Sequence, residues 1–382
     1  MIERVPGTRR AVLIGIDYGQ DSFPESLEEL KLLAQSAGMV PLATVLGKRS
    51  RPDPALYAGS GKVQEIKRAL QEYGADVAVF NHALSPAQER NLANALEVQV
   101  VDRTRLILDI FGQRARSHEG KLQVELAQLE HAATRLVRGW THLERQRGGR
   151  GFLGGMGETQ LEVDRRLIIS RVKALKSKLD KLKRQRKTQR RSRERLGVPS
   201  VSLVGYTNAG KSTVFNSLTH ADTYAADQLF ATLDTTSRRV FFQDAGTMII
   251  SDTVGFIREL PHTLVEAFRT TLEETIRADL LLHVVDASST ARDEQIAEVD
   301  KVLYEIGASD IPQILVWNKI DLLEAKGGVT PVIDRDEYGK ISRVRTSAKT
   351  GVGMDLLRQA LAETVISGKA SGHPGPVADF PH

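Results

Sequence analysis

From the N-terminus, short apolar runs alternate with stretches of helical spacing. Residues 11–17, AVLIGID, read as a strand that ends at a turn. Residues 26–38 carry a helical pattern, with Ser26 as N-cap and Glu29 three residues on. Strand-like runs follow at 41–46, 76–80 and 98–101, separated by helical patterns at 62–73 and 86–96. This alternation predicts a small α/β domain with a mostly parallel sheet over residues 1–112. The pattern then changes period. Leu122, Leu126, Leu129, Ala133, Leu136, Trp140 and Leu143 recur in alternating steps of four and three, as do Ile168, Val172, Leu175, Leu179 and Leu182. Both are heptad seams. Between them, residues 147–160 (RGGRGFLGGMGETQ) are too rich in glycine to stay helical. Residues 113–198 therefore read as two long antiparallel helices joined by a loop, the first running roughly 40 Å at 1.5 Å per residue. From Ser200 the strand–helix alternation returns, with strands expected at 201–204, 248–251, 280–285, 314–317 and 342–346. Residues 199–366 form a doubly wound α/β domain on this reading, and 367–382 a disordered tail. The expected fold class is α/β, with a parallel-sheet N-terminal domain, a helical hairpin and a doubly wound C-terminal domain.

Composition narrows the chemistry. The 382 residues include no cysteine, which excludes disulfide scaffolds, thiol catalysis and cysteine-ligated zinc. No oxidising compartment is needed, and a cytoplasmic location is expected. No apolar run approaches the roughly 18 residues of a membrane span, and AVLIGI is too short for a signal-peptide core. The net charge of +5 is unevenly spread. Residues 1–112 hold 13 basic and 14 acidic side chains, residues 113–198 hold 23 and 9, and residues 199–382 hold 17 and 25. The surplus sits entirely in the middle segment, as in a polyanion-binding element joined to neutral or acidic domains. Between 164 and 195 basic residues outnumber acidic ones 15 to 3, so pairing along the helix cannot neutralise them.

The C-terminal domain carries the recognisable chemistry. Gly205, Tyr206, Thr207, Asn208, Ala209, Gly210, Lys211 and Ser212 fit G-x-x-x-x-G-K-[ST], after an apolar strand and at the start of a helix that continues with Thr213. Glycines there let backbone N–H groups surround phosphates, Lys211 reaches the β- and γ-phosphates, and Ser212 ligates Mg²⁺. Asp252, Thr253, Val254 and Gly255 end another strand. Asp252 is placed to hold Mg²⁺ through water, and the Gly255 N–H to touch a γ-phosphate. Asn318, Lys319, Ile320 and Asp321 match NKxD, where the carboxylate accepts from guanine N1–H and N2–H₂, donors that adenine lacks. Ser347, Ala348 and Lys349 end the next strand, where a backbone N–H can meet guanine O6. The first switch falls on Phe230, Ala231, Thr232, Leu233 and Asp234, with Thr232 the second Mg²⁺ hydroxyl and Thr235 and Thr236 its rivals. Lys211, Thr232 and Gly255 are the expected catalytic groups.

Two residues tune this expectation. Phe256 stands where Ras-like GTPases place the glutamine that orients water, so slow intrinsic hydrolysis is expected unless another residue positions the water. Asn208 stands where potassium-activated GTPases carry an asparagine beside K⁺; it is either such a residue or a filler of the loop. Gly59, Ser60, Gly61 and Lys62 resemble half a phosphate loop, but Leu56 and Val63 break the motif. They read as a turn before a helix, or as a loop contacting RNA or a second nucleotide. His262 reads as a helix-start residue, and the nine histidines form no metal-spaced cluster. Arg147, Arg150 and Phe152 in the glycine loop, and Lys183, Arg184, Arg186, Lys187, Arg190 and Arg191 in the basic helix, are candidates for RNA contact. An anionic membrane surface is the rival partner. It is disfavoured because bulky apolar residues are missing opposite the basic face of 183–195.

These residues resemble the HflX family within the Obg–HflX group of GTPases. The resemblance rests on YAGSGKVQEI (57–66), LDIFGQRARSHEGKLQVELAQL (108–129), GGRGFLGGMGETQLEVDRR (148–166), GYTNAGKST, FATLD, DTVGF, ADLLLHVVDAS and NKID, and spans roughly residues 10–365. It implies GTP/GDP binding with Mg²⁺ and GTP-dependent association of a monomer with the large ribosomal subunit. It also implies that the hairpin loop approaches rRNA, and a role in splitting stalled or idle ribosomes. The chain departs from the family in having Asp234-Thr235-Thr236 for Asp-Pro-Thr. It also stops soon after the G domain, where some members carry a further domain, which puts contacts of that kind in doubt.

Overall fold

The computed structural model describes residues 9–20, 22–138, 160–194, 197–220, 229–260, 272–326 and 329–370. The chain divides into two compact units, Met1–Leu182 and Lys183–His382.

The first unit is built on a four-stranded parallel sheet in the order β2-β1-β3-β4. Its strands are β1 (Arg9–Asp17), β2 (Met39–Lys48), β3 (Val77–Phe80) and β4 (Gln99–Val101). Residues 11–16 of β1 are all buried, as expected of a parallel strand covered on both faces. The helices are α1 (Phe23–Ser36), α2 (Ser60–Tyr73), α3 (Pro86–Leu96) and α4 (Arg103–Arg114). Helices α2 and α3 supply Ile66, Leu70, Leu92 and Leu96 to a core with Val12, Ile14 and Phe80. Helix α3 begins with a full capping box between Ser85 and Gln88. Helix α1 starts earlier than the sequence pattern suggests. Ser22 is its N-cap and a proline lies in its first turn, because proline has its φ already set for a first turn. Ser26 is thus inside the helix, where its Oγ accepts from Asn81 Nδ2 at 2.7 Å.

Helix α5 (His118–Arg138) packs on α3 and α4. Arg135 pins it there, donating to Glu89 at 2.5 Å and to Asp102 at 2.9 Å. Asp102 is itself the N-cap of α4 and is 1% exposed. Helix α6 (Gln160–Glu194) has 35 residues, about 52 Å at 1.5 Å per residue. The two heptad seams meet as expected: Leu122, Leu126 and Leu175 are buried together, with Leu129, Val172, Leu179 and Leu182 against them. Glu125–Arg171 and Glu130–Lys176 ion pairs flank the seam. The seam ends at Leu182, and there the first unit ends too. Beyond it the sequence offers no apolar stripe to bury on that unit, so the segment expected as one hairpin is divided between the two units. The glycine loop, with Arg147, Arg150 and Phe152, lies outside the described residues, as do Trp140 and Leu143.

The second unit is a seven-stranded sheet in the order β10-β11-β9-β8-β5-β7-β6. Its strands are β5 (Ser200–Gly205), β6 (Thr236–Phe242), β7 (Gly246–Asp252), β8 (Leu280–Asp286), β9 (Gln313–Asn318), β10 (Ile333–Arg335) and β11 (Ile341–Arg345). The five inner strands are parallel, and the edge strands β6 and β10 are antiparallel to their neighbours. Helices α7 (Lys211–Thr219), α8 (Arg292–Ile306) and α9 (Met354–Ala370) complete the fold. Phe215, Leu218, Leu357 and Leu361 pack on Leu203, Ile250, Val284 and Val316. Helix α9 runs four residues into the expected tail, and Ser367 Oγ bonds the Glu363 carbonyl one turn back. Residues 371–382 lie outside the described residues. Among the described residues, no helix is long and apolar enough to cross a membrane.

Candidate functional site

The carboxyl ends of β5, β7, β8, β9 and β11 carry the site, as is general for open α/β sheets. Gly205 closes β5 at φ +145°, and a Cβ there would collide with the Val284 carbonyl oxygen on β8. Only glycine keeps the strands paired while the chain turns. The loop then passes through Asn208 at φ +60° and Gly210 at φ +94°. Gly210 lies against the Asn318 amide with no room for a side chain. The chain enters α7 at Lys211, and the free N–H groups of that first turn complete an anion cradle. Lys211 is buried and folds back over the loop. Its Nζ donates to the carbonyls of Gly205 at 3.1 Å and Tyr206 at 2.8 Å. Burial pulls its pKa down to about 8, with Asp252 opposing and Lys319 adding. An anion in the cradle would reverse that shift.

A cleft of about 530 Å³ opens here. Thr207, Asn208, Gly210, Lys211, Ser212, Thr213, Phe230, Ala231, Thr232, Thr253, Gly255, Asn318, Lys319, Asp321 and Lys349 line it, together with Leu322, which the motifs did not suggest. Three oxygens converge beside it. Ser212 Oγ lies 2.7 Å from Asp252 Oδ2 and 2.8 Å from Thr232 Oγ1, and Thr232 Oγ1 donates to Asp252 Oδ2 at 3.0 Å. Thr232 thus reaches this point, while its rival Thr236 pairs with Asp252 in the β6–β7 ladder. Burial raises the Asp252 pKa, against the hydrogen bonds from Ser212 and Thr232 and the charge of Lys211. Its Oδ1 is buried without a partner. Two hydroxyls and a buried, half-satisfied carboxylate are a hard oxygen set, and they fit Mg²⁺.

The other end of the cleft is braced by one side chain. Asn318 Nδ2 donates to the Ala209 carbonyl, and Asn318 Oδ1 accepts the Ala348 N–H, both at 2.9 Å. Of the loop 347–349, where a backbone N–H was expected at guanine O6, the Ala348 N–H serves this brace. Asp321 accepts from Ser347 Oγ at 2.7 Å, which fixes one carboxylate oxygen. Lys319, at φ +64°, is held by Asp286 at 2.8 Å. Asp286 was missed from the sequence, although its place at the end of β8 was the available signal.

The second switch begins against the loop. Phe256 N donates to the Gly205 carbonyl at 3.1 Å, and Thr207 N donates to the Phe256 carbonyl at 2.7 Å. Phe256 is 1% exposed, so its ring is packed and orients no water. Gly255 lines the cleft, and a Cβ on it would stand 2.8 Å from Lys211 Nζ and 2.9 Å from Thr207 Cα. Thr253 Oγ1 is spent on the Leu203 carbonyl at 2.6 Å.

Several expected contact residues do not line the cleft. Leu233, Val254 and Ile320 are buried hydrophobic residues that anchor the loops from beneath. Ala209 gives its carbonyl to Asn318 and its N–H to the Tyr206 carbonyl, and Asp234 stands outside the walls. His262 lies outside the described residues. Lys183 and Arg184 are exposed on α6, which also carries Arg186, Lys187, Arg190 and Arg191. Gly59, at φ +82°, precedes α2 in a turn, and Lys62 is held by the Leu46 carbonyl and Glu65, in keeping with a turn before a helix.

A phosphate loop, an Asp-x-x-Gly strand end and an Asn-Lys-x-Asp strand end around one cleft, on a mostly parallel sheet, define a P-loop GTPase. The comparisons with known proteins agree. Residues 24–112 match the family model described as GTP-binding GTPase N-terminal, 114–193 the GTP-binding GTPase Middle Region, and 200–319 the 50S ribosome-binding GTPase. The chain is 56% identical to the GTPase HflX of Escherichia coli K12, covering 98% of this chain and 86% of that one. It is 48% identical to the GTPase HflX of Magnetococcus marinus, covering 96% and 84%. The crystal structure of SsGBP in complex with GDP superposes with a TM-score of 0.52 at 25% identity, over 94% of this chain and 99% of that one. The chain belongs to the HflX family of GTPases, and it is a GTP hydrolase.

Proposed function

We propose that this GTPase associates with the large ribosomal subunit in its GTP form, hydrolyses GTP there in the cytoplasm, leaves as the GDP form, and acts in splitting or rescue of ribosomes. The observation that supports this most is the long helix α6, whose basic half continues past the end of its leucine seam. A stretch whose sequence has no apolar stripe and carries a large excess of arginine and lysine fits RNA phosphates. The description of the model that matches residues 200–319 points the same way.

In this reading Lys211 and the loop N–H groups bind the phosphates. The Gly255 N–H meets the γ-phosphate, Asp321 selects guanine, and Asn318 holds the two ends of the cleft together. Ser212 and Thr232, with Asp252 through water, would hold Mg²⁺, which when bound supplies positive charge to the β- and γ-phosphate oxygens. Packed Phe256 leaves the attacking water without a side chain from that position, so the bound subunit supplies or orders the missing group. Asn208 would help hold K⁺, and hydrolysis faster in KCl than in NaCl checks that role. A second reading, an anionic membrane surface, has one observation in its favour: Leu167 and Ile169 are 59% and 55% exposed beside Arg165 and Arg166.

The test is GTP hydrolysis with and without purified large subunits, alongside co-sedimentation with a non-hydrolysable GTP analogue or GDP. Stimulated hydrolysis and binding confined to the analogue are expected. Binding indifferent to the nucleotide, with no stimulation, refutes the ribosome reading. RNA-independent flotation with anionic vesicles would favour the membrane.

A further inference from the structure

We propose that Tyr206 is a positioning residue, latching the start of the second switch to the phosphate loop in the arrangement that accepts GTP. Tyr206 is 5% exposed and does not line the cleft. Its hydroxyl instead accepts the backbone N–H of Arg258 at 2.8 Å, from 52 residues away. That bond extends the two backbone bonds made by Phe256 to Gly205 and Thr207. Residues 205–207 and 256–258 thus form a short parallel ladder of three rungs. The first two rungs are available to any sequence. The third requires a hydroxyl on residue 206, and a phenylalanine there would leave the Arg258 N–H without it.

The ladder has a direct consequence for the cleft. Gly255 immediately precedes it and is held against Lys211 and Thr207 with no space for a methyl group. In the same arrangement Thr232 of the first switch reaches Ser212 and Asp252. Thr232 and Gly255 therefore stand at the cleft together, and the latch belongs to that arrangement. Arg258 carries the connection outward, because its guanidinium bonds Glu294 on α8 at 2.5 Å. A switch that withdraws after γ-phosphate loss has to break the Tyr206 rung first. The hydroxyl then stabilises the GTP form and contributes nothing to GDP binding, which is the differential a nucleotide switch needs. This inference rests on the GTP cleft alone and is independent of the ribosome reading.

The test is Tyr206→Phe in the full chain, which keeps the ring and its packing. Loss of one neutral hydrogen bond, about 1 kcal/mol, corresponds to about fivefold. Affinity for a non-hydrolysable GTP analogue should fall about fivefold, and kcat/KM without ribosomes by no more than that same factor, while GDP affinity stays within about twofold. Amide exchange supplies a second readout. With the analogue bound, the Arg258 N–H should be protected in the wild type and should lose protection in the variant. A parallel fall in GTP-analogue and GDP affinity would show a merely structural tyrosine and overturn the proposal. An Arg258 amide that exchanges like an open loop in the wild type would overturn it as well.

Discussion

Asp321→Asn should exchange the nucleotide that this cleft prefers. One carboxylate oxygen of Asp321 accepts from Ser347 Oγ at 2.7 Å, so the side chain is held at a fixed angle at the cleft wall. An asparagine is expected to keep that bond through its carbonyl oxygen and to turn its NH₂ toward the base. Against guanine, one acceptor becomes a donor facing the N2–H₂ donors. A charge-assisted hydrogen bond of about 1.5–3 kcal/mol is lost, and an unmade donor adds about 1–3 kcal/mol. Allowing for partial relaxation, GTP affinity should fall by about 3–5 kcal/mol, or roughly 10²- to 10³·⁵-fold. Xanthosine triphosphate carries a carbonyl where guanine has its amino group, so it should bind the variant better than GTP does. Fluorescence titration of wild type and variant with both nucleotides measures this directly. A variant that retains GTP affinity within tenfold, or that gains nothing for the xanthine nucleotide, would refute the assignment of Asp321 to the base.

Three further outcomes follow from the geometry. Gly255→Ala places a methyl group 2.8 Å from Lys211 Nζ and 2.9 Å from the Thr207 backbone; overpacking of about 1–3 kcal/mol should depress GTP-analogue affinity and hydrolysis more than GDP affinity, read by titration and single-turnover kinetics. Lys211 has its pKa lowered to about 8 in the free protein, whereas bound phosphate favours the charged form; nucleotide affinity should therefore fall as pH rises through about 8, with proton uptake seen by calorimetry in buffers of different ionisation enthalpy. The same shift makes the nucleotide-free protein bind fewer protons folded than unfolded between about 8 and the ordinary lysine value, so its own stability should rise with pH there. Arg135→Ala leaves Asp102, 1% exposed, without its cationic partner, and should lower stability by about 3 kcal/mol in denaturant titration.

The site was largely legible because its motifs sit at strand ends, where period-two apolar runs stop abruptly. Strands β5, β7, β8, β9 and β11 all fell within a residue or two of their expected places. The edge strands β6 and β10 did not show, since TSRRVFF and IDR expose much of their length and carry little alternation. Helix α4 was hidden because its apolar residues run on from β4 without a punctuating glycine or proline; its start is marked by the Asp102 cap alone. Thr232, Thr235 and Thr236 stayed open in the sequence, because threonines so close together differ only in where the fold carries each hydroxyl; that of Thr232 is carried to Ser212. Tyr206 was legible as part of the loop but not as a latch. Its partner is a backbone N–H far along the chain, and backbone groups leave no mark on sequence.

The Asn318 side chain touches the phosphate loop through Ala209 and the base loop through Ala348. Ordering either loop therefore lowers the cost of ordering the other, which is a coupling free energy shared by two halves of one ligand. Guanosine should bind more tightly when pyrophosphate already fills the cradle, and pyrophosphate more tightly when guanosine is present, by the same factor. The GTPase thus weighs base and phosphate jointly: a nucleotide with the wrong base is penalised at its phosphates too, through a single amide.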